Sequence, residues 1–108
     1  MHFFNIYKMN VRKSFLRRIV LDVLKPHEPS LDIISTELVN MFDEIDAVNI
    51  TVYEIDQKTQ NVKLTIQGIN LDFPKIRVAL EKFNCAIHSI DQVIAGKYII
   101  ENIETPQD

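Results

Sequence analysis

The chain has 108 residues, 46% of them apolar and 25% charged, a composition that fits one globular domain and leaves no room for two. Its single cysteine, Cys85, excludes an internal disulfide and a CxxC metal or redox pair, so a reducing, cytoplasmic setting is expected. The net charge of -3 is uneven: Lys8, Arg12, Lys13, Arg17 and Arg18 open the chain without an acid among them and all 15 acids follow, so broad nucleic-acid binding is disfavoured except through that basic arm.

Residues 1–16 are expected to form the basic arm or extension, with Met9 as an alternative start, ahead of a domain over residues 17–104 and a tail over residues 105–108. The opening segment lacks the uninterrupted apolar core of a signal peptide. No apolar run approaches the roughly 20 residues that cross a bilayer, so no membrane contact is expected. Ile19-Val20-Leu21 and Val23-Leu24, interrupted by Asp22 and closed by Pro26, predict a strand over Arg18–Lys25. Ser30 follows a His27-Glu28 loop held between Pro26 and Pro29, and is expected to cap a helix running from about Leu31 to Phe42. Leu31, Ile34, Leu38, Met41 and Phe42 recur on that helix at steps of three and four, which places them on one face.

Val48–Ile55 alternates with period two, as does Asn61–Gly68, and the polar Asp56-Gln57-Lys58-Thr59 between them predicts a hairpin. Asp72 is positioned to cap a second helix with Pro74 in its first turn and Phe73, Ile76, Leu80 and Phe83 on its apolar stripe; Asn84 suits a left-handed stop. A last strand is expected from Ala86 to about Ile94, followed by a bulge or turn at Gly96 and a short apolar run, Tyr98-Ile99-Ile100. Strand, helix, strand, strand, helix, strand closes most simply as an α+β, ferredoxin-like βαββαβ two-layer sandwich: an antiparallel four-stranded sheet with both helices on one face.

Alternation then divides the sheet. Ile19, Leu21, Val23, Ile50, Val52, Leu64, Ile66 and Ile87 are expected beneath the helices, and Val20, Asp22, Leu24, Thr51, Tyr53, Lys63, Thr65, His88 and Ile90 on the open face. An open face of aliphatics around an acid, a histidine and a tyrosine suggests a covered surface, most simply another copy of the chain. The two central strands carry no aromatic, so the face lacks the stacking platform of RNA-recognition domains.

Three strings resemble the archaeal "domain of unknown function 211" family: Leu21-Asp22-Val23-Leu24-Lys25-Pro26-His27-Glu28-Pro29, Val48–Asp56, and His88–Asp91 with Val93–Lys97. The likeness runs from about Arg17 to Glu101. It implies a ferredoxin-like monomer, an archaeal cytoplasmic setting and closed, ring-like homo-oligomers, and it implies no activity.

Candidate ligand-binding residues therefore rest on their own chemistry. His27, Glu28 and Ser30 sit where a small ligand meets a helix N-terminus, although loop rigidity alone explains the prolines, and the glycine that amino-acid-binding ACT domains use for close backbone approach is missing near Ser30. Asp22 and His88 are expected on neighbouring open-face strands, as a structural ion pair or as a pair able to move a proton or hold a metal. Lys97, beside Gly96, offers a cation for an anion. Glu54, Asp56 and Asp91 supply hard oxygens for Ca²⁺ or Mg²⁺ at a subunit boundary, or simply form a solvated rim. No catalytic triad order, HExxH, P-loop or phosphate-cradling glycine string is present. The expected function is a non-catalytic binding or regulatory module in a closed homo-oligomer, with a small enzyme using Asp22 and His88 as the alternative.

Overall fold

A computed structural model describes residues 15–103; most of the basic arm, and the tail over 105–108, lie outside them. The chain runs β1 (Leu16–Pro26), α1 (Leu31–Met41), β2 (Ile45–Ile55), β3 (Thr59–Gly68), α2 (Phe73–Lys82) and β4 (Ala86–Ala95). The strands form one four-stranded sheet in the order β2-β3-β1-β4, every neighbouring pair antiparallel. This is the ferredoxin-like α+β sandwich. The outer strands carry the helices, α1 against β2 and α2 against β4.

Ile19, Leu21 and Val23 of β1 and Val62, Leu64 and Ile66 of β3 are buried beneath Ile34 and Leu38 of α1 and Ile76, Ala79 and Leu80 of α2. Each of the valines, leucines and isoleucines contributes roughly 1.5–3 kcal/mol by leaving water, so the seam between the two central strands and the helices is the main source of hydrophobic stabilisation. Ile50, Val52 and Ile87, on the outer strands, are only partly buried against that core.

Local chemistry sets the element ends. The Asp72 carboxylate accepts from the Lys75 backbone N–H at 3.2 Å, which satisfies one of the orphan donors of α2, and Pro74 follows in the first turn. Asn84 ends the helix region at φ 62°, in the left-handed conformation that its short amide tolerates. The expected Ser30 cap does not form: Ser30 precedes α1 without a side-chain bond to the helix backbone. Its hydroxyl turns to the neighbouring acid and, as the leading cause, holds the exposed Asp32 carboxyl below its ordinary range.

The largest departure from the sequence expectation lies in the outer strands. In β2 the pairing steps from Val52↔Val62 to Glu54↔Asn61, which leaves Tyr53 as an extra residue. In β4 it steps from Gln92↔Val20 to Ile90↔Leu21, and again from Ser89↔Asp22 to Ile87↔Val23, which leaves Asp91 and His88 unpaired in turn. Each inserted residue shifts the side-chain phase by one. Ile90, expected on the open face, is therefore paired opposite Leu21 on the helix side, while Ser89 and Gln92 lie on the open face opposite Asp22 and Val20.

After β4, Gly96 takes φ 124° and donates its N–H to the Phe15 carbonyl at 2.7 Å. The chain then returns to the open face, where the Arg18 guanidinium makes a two-pronged pair with Glu101 at 3.0 and 2.9 Å and also reaches Gln67 and Gln92. That pairing is the leading cause of the lowered Glu101 carboxyl and the raised Arg18 pKa.

Candidate functional site

Asp22 is the centre of the open face. It lies on a central strand between Val20 and Leu24, half-buried, in a row where apolar residues would otherwise continue. Three bulges converge on it from the two edges. Tyr53, the extra residue of β2, reaches across β3 and donates its phenol O–H to the Asp22 carboxylate. His88, the first extra residue of β4, shares with Asp22, Leu24 and Asn61 the lining of a concavity of about 260 Å³. Asp91, the second, accepts from the Ser89 hydroxyl at 2.7 Å, and Ser89 stands directly opposite Asp22.

The electrostatics follow from this convergence. The bond to Asp22 pushes the Tyr53 phenol up to about 12, with desolvation and the negative charges of Asp22, Asp91 and Glu54 adding to the effect. Each of these influences disfavours the phenolate, so Tyr53 keeps its proton and acts as the donor. Asn61 directs its amide N–H to Glu54 at 2.7 Å, and so fixes the far wall of the concavity. The site thus offers a carboxylate, an imidazole, a fixed amide and an aliphatic wall within one depression. That is a set suited to recognising a small polar molecule.

The structure places the remaining candidates elsewhere. His27 is a clamp: its Nε2 lies 3.1 and 3.0 Å from the carbonyls of Asp56 and Gln57, one ring N–H tying the β1–α1 loop to the β2–β3 turn. Glu28 is exposed beside it, Ser30 faces Asp32, and Lys97 is exposed after Gly96. Asp56 accepts from the Gln57 backbone N–H at 2.9 Å, at the hairpin end. Glu54, Asp56 and Asp91 do not gather: among the described residues no three His, Cys, Asp or Glu side chains form a group able to hold a metal ion. No hydrogen bond joins Asp22 to His88 among the described residues; the partner of the acid is Tyr53.

Sequence reasoning placed Tyr53 on the correct face and missed its partner. It also missed Lys25, which sits in register beneath the helices with 1% of its surface exposed. Its ammonium donates to the Pro26 carbonyl at 2.6 Å, to Gln60 Oε1 at 2.9 Å and to the His27 carbonyl at 3.4 Å. The signal available was the phase of β1, in which Lys25 continues the row of Ile19, Leu21 and Val23. Cys85 is buried near the same charge: burial pushes its thiol up, and the Lys25 ammonium opposes that shift.

The described residues contain no helix long and apolar enough to cross a membrane. The DUF211 family, described as uncharacterised ArCR, matches residues 17–108. An uncharacterised protein of Methanocaldococcus jannaschii, MJ0319, is 57% identical over 93 residues, which cover 86% of this chain and 95% of that protein. The chain belongs to the archaeal DUF211 family.

Proposed function

We propose that this DUF211 protein is a non-catalytic, cytoplasmic binding or regulatory module that takes a small ligand on its open sheet face and works as a closed homo-oligomer. The observation that carries this reading is the convergence of three bulge residues, Tyr53, His88 and Asp91, on Asp22. A bulge gives up ladder pairing, and bulges concentrate beside functional sites because they re-aim a side chain. Catalysis by an Asp22/His88 pair is the weaker reading, since the acid that would orient the imidazole is bonded to Tyr53. A divalent cation at the same face would need oxygens from a neighbouring subunit, because Ca²⁺ takes about 6–8 of them.

Thermal shift against a panel of metabolites and divalent ions tests the binding half. A ligand at about 100 times its Kd should raise the melting temperature by about 10 °C or more. The same ligand should leave an Asp22→Asn variant unmoved. A flat panel, or an equal shift in the variant, overturns the open face as the site.

Self-association is supported by the segment after β4. Tyr98, Ile100 and Ile103 are 75%, 70% and 85% exposed, although Glu101 between them is held in place. Apolar side chains presented on a fixed segment suit a contact with a second copy, and a contact between two different surfaces repeats until a ring closes. A chain ending at Lys97 should run as a folded monomer in light scattering. If it keeps the full-length mass, self-association through this segment is ruled out.

A further inference from the structure

We infer that the groove between the two helices is the receptor for the C-terminal segment of a second copy, with Ile100 and Ile103 on its floor and the acids that follow against its lysines. This rests on the self-association proposed above and names both sides of the contact. The groove has a volume of about 380 Å³. Met41 and Phe42 at the end of α1 face Val78 and Ala79 of α2 across it, and Pro74, Lys75 and Lys82 complete the lining. Met41 and Val78 are each 49% exposed, so the floor is apolar and open. Lys75, Val78 and Lys82 follow one another at steps of three and four residues, which brings an aliphatic side chain between two cations on a single helix face.

The segment offers the complementary chemistry. Ile100 and Ile103 are exposed, and the sequence continues with Glu104 and ends in Asp108. Charge decides between the surfaces such a segment could meet. The open face sets Asp22, Glu54 and Asp91 beside Lys63, and its Arg18 is already taken by Glu101, whereas the groove lining contains two lysines and no acid. The contact must also come from another molecule. Glu101 is bound to Arg18 on the open face, on the side of the sheet away from the helices, so the isoleucines that flank it cannot enter the groove of their own chain. The contact is therefore heterologous, segment to groove.

Charge reversal on the full-length protein, read by light scattering with thermal melting as the folding check, tests the assignment. Lys75 and Lys82 are exposed, so a Lys75→Glu/Lys82→Glu variant should fold while its self-association weakens at least tenfold. Adding Glu104→Lys and Asp108→Lys to that variant should restore assembly. If the lysine variant assembles like the wild type while the chain ending at Lys97 is monomeric, the segment docks on a sheet edge or the open face; the groove assignment then falls and self-association stands. If both assemble, both fall. Loss of assembly without rescue by the reversed acids also overturns the pairing, because the lysines would then be serving another contact.

Discussion

A Gly68→Ala variant is expected to lose about 3 kcal/mol of stability or more, at the upper end of what overpacking costs. A Cβ at this position would stand 1.9 Å from the Glu44 carbonyl oxygen and 2.9 Å from a Leu71 methyl. The Glu44 carbonyl is not free to move: it accepts the Ile69 N–H at 3.0 Å, and the next residue, Ile45, pairs with Gly68 across the β2–β3 ladder. Relief therefore requires the open end of the hairpin, away from its turn, to separate, with Ile45 and Leu71 leaving the core together. In a domain of this size the loss should lower the melting temperature by more than about 12 °C. Denaturant unfolding of the variant measures it directly, and a cost below about 1 kcal/mol would show that the Glu44–Ile45 backbone yields.

Gly68 also shows what kind of information a sequence carries. As the last residue of an alternating run it reads as a strand end, and it is one; the carbonyl pressed against it comes from a loop 24 positions earlier and leaves no local trace. The fold was legible for the complementary reason. Ile19, Leu21 and Val23, and Leu64 and Ile66, repeat with the period of a strand, and Asp72 with Pro74 marks a helix start, so element types and their order follow from neighbours in sequence.

The open-face site was legible only in part. Asp22 interrupts an apolar run, and His88 and Asp91 carry chemistry, so each draws notice alone. Their convergence depends on two bulges in β4 and one in β2, and a bulge is an agreement between two strands rather than a property of either. Strict alternation from Ile87 puts Ser89 beneath the helices and Ile90 on the open face, whereas the inserted His88 puts Ser89 opposite Asp22 and Ile90 opposite Leu21, and the inserted Asp91 bonds back to Ser89. The bonding of His27 was hidden in the same way. Its position between prolines suggested a ligand or a rigid loop, and its Nε2 meets two carbonyls about 30 residues ahead, on a turn that only the folded sheet brings near.

Lys25→Met is the second large effect expected, a loss of about 2–4 kcal/mol. The two side chains are similar in length, so packing beneath the helices is largely kept and the difference reports on the ammonium. Bonds to a charged group contribute about 1.5–3 kcal/mol each, and Lys25 makes three, to Pro26, His27 and Gln60. Against this stands the desolvation that a buried charge incurs and methionine avoids. Two well-formed bonds at 2.6 and 2.9 Å and a longer one at 3.4 Å leave the balance in favour of lysine. The loss should spread along one path: without the ammonium the carbonyls of Pro26 and His27 are released, the loop carrying the His27 ring loosens, and its hold on Asp56 and Gln57 weakens. Hydrogen exchange at the Asp56 amide, which closes the hairpin onto Thr59, should then quicken relative to amides in β1. The Cys85 thiol loses the Lys25 charge that opposes its burial, so it should react more slowly with thiol reagents at a fixed pH while the chain is folded. If the variant is as stable as the wild type and its Asp56 amide is unchanged, Lys25 serves only as a packed aliphatic stem, and the loop is held by His27 alone.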